Sequence, residues 1–156
     1  MPQVPPHFAD DLFSALPAHE RPSSRWLLAG PRGGGTPLHV DPNGTSAWNA
    51  LVVGCKLWCM FPPNIEPPAR HWNVSVAQWF ADVFATMPPH AHADLCVFVQ
   101  QPGEIIYVPS GWPHAVLNLE TSVGVTHNRA ERENLDRVRA HGRPELLQSL
   151  RAAGIL

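Results

Sequence analysis

The sequence predicts a mainly β fold of the double-sheet jelly-roll or barrel type, with helices flanking it. The middle of the chain is a series of short apolar runs cut by turn signals at brief intervals. Proline is frequent at 18 residues and glycine stands at 11, a composition that favours turns over long helices. Helical periodicity is strong only in one central segment and in the C-terminal tail. At 156 residues the chain is one domain, long enough for a real core. Its expected divisions are a leader over 1–24, a barrel core over 25–128 and a helical tail over 129–156.

The elements follow in order. The leader is proline-rich and polar, with one short helical candidate, Ala9 to Leu16. Trp26 to Ala29 is a short apolar strand. Pro31 to Gly35 is a glycine-rich turn; it lacks the lysine and following helix of a phosphate loop. Leu38 to Asp41 reads as a strand ending at Pro42, and Asn43-Gly44 is a strong turn signal. Ser46 to Val53 is the next strand, stopped at Gly54. Cys55 to Phe61 follows, ended by Pro62-Pro63. In it Lys56, Trp58 and Met60 share one face, and Cys55, Leu57, Cys59 and Phe61 share the other. Ile65 to Trp72 reads as a loop. Val76, Trp79, Phe80, Val83 and Phe84 recur at helical spacing, so an amphipathic helix is predicted, capped by Asn73 or Ser75. Met87 to Asp94 reads as a loop. Four more strands are predicted: Leu95 to Val99, Glu104 to Val108, His114 to Leu119 and Val123 to Asn128. The tail from Ala130 to Leu156 is mainly helical and broken near Gly142 to Pro144.

Charge and cysteine usage narrow the function classes. The net charge is -2 and no basic block is present, which argues against bulk nucleic-acid binding. Mild acidity suits a basic peptide partner. The cysteines number 3 and form no CxxC pair, which points to a reduced, intracellular protein. No charged leader followed by an apolar run opens the sequence, so no signal peptide is expected, and no apolar stretch is long enough to span a membrane.

The chemistry-bearing pattern begins at His39 and Asp41. At i and i+2 on a strand, both side chains leave the same face. A later strand opens with His114, inside GEIIYVPSGWPHAV. Two imidazoles and one carboxylate on one side of a metal leave three positions open, the facial triad of non-haem Fe(II) oxygenases. An HxD pair alone is a weak signal in a chain with 9 histidines; the distal His114 strengthens it. His90 and His92 are spaced like a metal pair but sit in a proline-alanine stretch without a carboxylate in register. His7, His19, His71 and His141 read as surface residues, and His127 should point away from the face of Thr126 and Asn128. Lys56 is the chain's one lysine and its strand neighbours are apolar. A buried ammonium needs a counter-charge, and no carboxylate lies near it in sequence; a bound dicarboxylate would supply one.

The run RWLLAGPRGGGTPLHVDPNGTSAWNALVVGCKLWCMFPP, followed by GEIIYVPSGWPHAVLNLETSVGVTHN, resembles the Jumonji C (JmjC) domain. It is most similar to the branch of bifunctional arginine demethylases and lysyl hydroxylases, and VPPHFADDLF resembles the segment leading into that core. The resemblance covers residues 4–128 with several motifs in order. It implies a double-stranded β-helix of the cupin-like kind, Fe(II), 2-oxoglutarate as cosubstrate, and dioxygen. Carried over by position, His39, Asp41 and His114 match the iron ligands, and Lys56 matches the lysine that binds the far carboxylate of 2-oxoglutarate. Asn49, Thr36, Thr126 and Asn128 match polar residues around the same cosubstrate. Alternation places Thr126 and Asn128 together but leaves Thr36 out of phase with His39, unless the glycine-rich turn restores it.

The activity implied is hydroxylation of a protein side chain, with lysine first; N-methylarginine demethylation is the same chemistry on an N-methyl carbon. The resemblance also implies a nuclear setting, with cytoplasm as the alternative, and a homodimer through the C-terminal helices. Two departures from the family pattern stand out. The family's N-terminal helices and their cosubstrate tyrosine have no counterpart here, Tyr107 lying elsewhere, and Pro113 stands where a second tryptophan is familiar. Two other readings remain: a JmjC-like binding module with little or no turnover, and a cupin-type small-molecule enzyme using another metal without 2-oxoglutarate.

Overall fold

A computed structural model describes residues 6–69 and 73–156, apart from the side chains of Pro89 and His92. Its strands are β1 (Arg25–Gly30), β2 (Gly35–His39), β3 (Ser46–Val53), β4 (Lys56–Met60), β5 (Cys96–Gln100), β6 (Ile105–Val108), β7 (His114–Asn118) and β8 (Ser122–Arg129). Its helices are α1 (Val76–Asp82), α2 (Pro89–His92), α3 (Leu135–His141) and α4 (Pro144–Ala152). The strands form two four-stranded sheets, in the orders β1-β8-β3-β6 and β2-β7-β4-β5, with every described pairing antiparallel. This is the predicted mainly β jelly roll. No helix among the described residues is long and apolar enough to cross a membrane.

β4 shows why the sheets stack as they do. Its alternation gives two apolar faces, and both are covered. Trp58 and Met60 pack with Ala47, Val108 and Val116 between the sheets. Cys59 and Phe61 pack outward against Val76, Trp79 and Phe80 of α1. Burying a side chain of this size contributes roughly 1.5–3 kcal/mol. A polar tie also joins the two sheets: the Trp58 indole donates to Gln100 Oε1 at 2.9 Å, and the Gln100 amide donates to the Asn49 carbonyl at 3.0 Å. Leader and tail share a third cluster, where Phe13 and Leu16 meet Ala130, Val138, Leu146 and Leu150.

The structure departs from the predicted elements in four places. Ala9 to Leu16 is not a helix; one short 3-10 turn, Pro6–Phe8, precedes it, and another, Leu12–Ala15, lies within it. Asp11 caps the second turn, accepting from Phe13 N at 3.1 Å and from Ala130 N at 3.3 Å, so its carboxylate competes with helix extension. The Met87 to Asp94 loop contains α2, a single turn begun by proline where its missing N–H costs nothing. The central helix ends at Asp82, and Phe84 falls in a 3-10 turn, Phe84–Thr86; Ser75 rather than Asn73 is the cap, accepting from Gln78 N at 3.2 Å. The strand expected to reach Asp41 ends at His39. The end of the Ile65 to Trp72 loop, with His71, lies outside the described residues. The tail breaks as predicted, between α3 and α4.

Candidate active site

His39 closes β2 and His114 opens β7, and the two are cross-strand partners. Their ring centroids lie 4.2 Å apart with the planes tilted by 56°. Asp41 stands two residues past the strand, at the entrance of a 3-10 turn, Pro42–Gly44. That turn needs the Asn-Gly pair, because Asn43 has φ 58° and Gly44 has φ 68°. A Cβ on Gly44 would also sit 2.4 Å from the Arg137 carbonyl oxygen. The turn thus packs against α3 and swings the Asp41 carboxylate back beside the imidazoles. The donor atoms of His39, Asp41 and His114 all lie within 4.8 Å of one another.

Each imidazole is oriented from behind. His39 Nδ1 donates to the Pro37 carbonyl at 2.8 Å, and His114 Nδ1 donates to the Trp112 carbonyl at 2.9 Å. A carbonyl can only accept, so the ring proton stays on Nδ1 and the Nε2 lone pair is left for another partner. Asp41 Oδ1 is 3.7 Å from His39 Nε2, while Asp41 Oδ2 is buried without a hydrogen-bond partner among the described residues. Burial pushes the His114 imidazole down to about 4, with the charge of His39 adding to the effect. Burial also pulls on His39, but Asp41, which favours the protonated ring, and the Pro37 hydrogen bond outweigh it and leave that group above its ordinary value. Asp41 is held below the usual carboxylate range: burial works against this, and the neighbouring His39 and the charge of His114 prevail. An orphaned carboxylate oxygen beside two imidazole nitrogens is a donor set that fits a divalent transition-metal ion.

A strand irregularity completes the site. On β2–β7, Thr36 pairs with Val116 and His39 with His114, so three steps on one strand face two on the other. This bulge falls at Pro37 and Leu38, where proline has no ladder donor to give. The extra residue puts Thr36 back in phase with His39. The expectation that the glycine-rich turn would do this is corrected: the bulge does it. Triad, Lys56, Asn49, Thr36, Thr126 and Asn128 all line one cavity of about 230 Å³ between the sheets.

Polar groups in that cavity are unevenly satisfied. Thr126 Oγ1 donates to the Trp48 carbonyl at 3.2 Å, and the Asn128 amide donates to Thr45 Oγ1 at 2.9 Å. Asn49 Oδ1 is buried without a partner among the described residues. Lys56 is 4% exposed, and no hydrogen bond or ion pair joins it to a described residue. Burial holds its ammonium below the ordinary lysine value. The protein therefore carries a buried cation facing an open cavity, with no anion beside it among the described residues.

Several contributors escape sequence reasoning. Trp58 stacks on His114 at 6.0 Å and fixes that ring from the side. Trp26, on the inner face of edge strand β1, is 37% exposed at the cavity mouth beside Pro42. Asp11 lies 3.2 Å from the buried His127 Nε2, tying the leader to β8. His127 does turn away from Thr126 and Asn128, packing edge-on against Trp48 at 5.5 Å. Tyr107 lies outside the cavity and donates to Glu131 at 2.7 Å. His7, His19, His90 and His141 are exposed.

The fold is a jelly roll of the cupin-like class, and its His39–Asp41–His114 donor set fits a metal ion. Residues 26–129 match the family described as JmjC domain, hydroxylase, and the chain belongs to that family. It is 41% identical over 142 residues to the arginine-specific demethylase JMJ22 of Arabidopsis thaliana, a match covering 85% of this chain and 28% of that protein. It is 40% identical over 161 residues to the bifunctional arginine demethylase and lysyl-hydroxylase psr-1 of Caenorhabditis briggsae, covering 92% of this chain and 40% of that protein. It is 36% identical over 109 residues to the 2-oxoglutarate and iron-dependent oxygenase JMJD4 of Mus musculus, covering 67% of this chain and 26% of that protein. The chain thus spans between about a quarter and two-fifths of the length of these relatives.

Proposed function

We propose that this chain is an Fe(II)- and 2-oxoglutarate-dependent oxygenase that hydroxylates a protein side chain, lysine first, with N-methylarginine demethylation as the same chemistry on another carbon. The observation that carries this reading is the meeting, in one cavity, of a His39–Asp41–His114 triad with a buried Lys56 that no described residue pairs. Membership of the JmjC hydroxylase family and the names of the relatives support it.

His39, Asp41 and His114 would hold the iron through two Nε2 atoms and the free Asp41 oxygen. Bound there, iron and 2-oxoglutarate supply the activation of dioxygen that a C–H hydroxylation needs. The rest falls to the chain itself. Lys56 offers its ammonium to the distal carboxylate of the cosubstrate, which neutralises a charge that burial makes costly. Asn49, Thr36, Thr126 and Asn128 offer hydrogen bonds around the same molecule. Trp58, Val108 and Val116 make the walls apolar and keep water from the reacting centre. The target side chain enters past Trp26 and Pro42. Residues 25–128 carry this chemistry, and Phe13 and Leu16 of the leader pack on Val138, Leu146 and Leu150 of the tail as a brace. The same reading takes the partner as a basic peptide, the setting as intracellular and nuclear, and α3 and α4 as a homodimer surface.

The test is turnover of a peptide library with Fe(II) and 2-oxoglutarate, read by mass together with succinate release. A gain of one oxygen identifies hydroxylation, and loss of a methylene identifies demethylation. His39→Ala should abolish both signals. Tight 2-oxoglutarate binding without turnover on any peptide would favour the binding-module reading instead.

A further inference from the structure

Lys56 borders a second cavity. This one has a volume of about 380 Å³ and is lined by both β1 and β2, the strands that end their respective sheets. Leu28, Thr36, Lys56 and Val116 line it and the metal-side cavity alike. On its far side the wall is polar: Asn118 and Ser122 are 6% and 1% exposed. Gly30 lies on the inner face of β1, and a Cβ there would meet the Asn118 amide nitrogen at 3.0 Å. The absent side chain is what keeps the slot open. Lys56 is a flexible four-carbon stem whose ammonium no described residue holds in place.

We propose that the diacid pocket continues past Lys56 into this slot, so that the chain accepts 2-oxo diacids longer than 2-oxoglutarate. The inference rests on the reading of Lys56 as the clamp for the distal carboxylate. Selection for chain length requires a closed wall behind the clamp. Against a closed wall one extra methylene costs roughly 10- to 200-fold in discrimination. Here the space behind the ammonium is free, and the lysine can retreat towards Asn118 and Ser122 while keeping its carboxylate partner.

The test is isothermal titration calorimetry of the Mn(II)-loaded protein with 2-oxoglutarate and with 2-oxoadipate, which is one methylene longer. The expected result is that the two bind within about fivefold of each other, well inside the penalty of a closed wall. Gly30→Leu should fill the slot: 2-oxoadipate binding should fall by about tenfold or more, with 2-oxoglutarate nearly unchanged. Gly30 does not have a left-handed backbone, so the substitution adds bulk without backbone strain. Wild-type binding of 2-oxoadipate about tenfold or more below 2-oxoglutarate overturns the inference and leaves the cosubstrate reading standing. Binding of neither diacid overturns both. An equal loss of both in a folded Gly30→Leu protein also overturns the inference, and if that variant does not fold, the wild-type ratio decides.

Discussion

Lys56→Met should move stability and cosubstrate affinity in opposite directions. In the free protein Lys56 is 4% exposed and faces no protein anion, so its charge is a burden on the fold. Methionine keeps most of the stem and removes the charge. Replacing buried ionic groups by apolar ones of similar volume stabilises by ~1–4 kcal/mol, so a gain of ~2 kcal/mol is a reasonable centre. For a domain of this size that is roughly 4–8 °C in Tm. Cosubstrate binding should suffer, because the diacid's distal carboxylate would then be buried without its cation. That loss is about 2–5 kcal/mol, or roughly 30- to 5,000-fold in Kd. The pH dependence gives a second signature. Burial depresses the folded-state pKa of Lys56 below 10.5, so its burden is full below the folded value and gone above the unfolded one. Wild-type apo stability should therefore gain from this group as pH rises through the alkaline window ending near 10.5, and Lys56→Met should lack that gain. Differential scanning fluorimetry against pH and calorimetric titration with 2-oxoglutarate give both readouts. A Lys56→Met protein that is less stable than wild type, yet binds 2-oxoglutarate equally well, would falsify the clamp.

Four further outcomes can be checked directly. Metal at about 1,000 times its Kd should stabilise the wild type by about 4 kcal/mol, and both His39→Ala and His114→Ala should lose that shift in Tm on adding Mn(II). Gly44→Ala places a Cβ against the Arg137 carbonyl at a left-handed backbone position, so unfolding should cost about 2–4 kcal/mol less and metal affinity should fall about 10- to 100-fold as Asp41 is displaced. Asp11→Ala removes the cap of the leader turn and the partner of His127; stability should drop by about 2–3 kcal/mol, with faster hydrogen exchange over residues 12–16 and unchanged 2-oxoglutarate affinity. Trp58→Phe should cost about 1–3 kcal/mol in denaturant titration, because Gln100 Oε1 loses its donor inside the barrel.

Much of the fold was readable because the strands obey period two and the turns use the residues their geometry demands. β4 is the clearest example: its alternation separated the inter-sheet face from the face under α1. The triad residues were readable from type and spacing together with family resemblance. What escaped was set by side chains that override local propensity. Asp11 draws the leader into a 3-10 turn by bonding to Ala130, far away in sequence. Proline at N1 starts α2 inside a stretch that composition marks as loop. Trp58 as the ring support of His114 depends on the register of β4 with β7, which pairs Trp58 with Val116 and Met60 with His114. Neither strand announces that register alone.

Thr36 shows where strict alternation fails and why the failure is informative. Counting by twos from His39 puts Thr36 on the wrong face, yet it lines the cavity. The bulge at Pro37 and Leu38 corrects the phase, and the Pro37 carbonyl it frees is the acceptor that orients His39. One irregularity therefore both turns Thr36 inward and fixes the imidazole proton on Nδ1. A regular β2 would keep the ladder bonds but lose one of these two effects. The local cost of a bulged edge strand is small beside the ordering it gives the His39 imidazole. Pro37 itself donates nothing to the ladder, so the strand has no backbone bond at that point for regular pairing to recover. The break in pattern is therefore best understood as part of the site and not as a defect of the sheet.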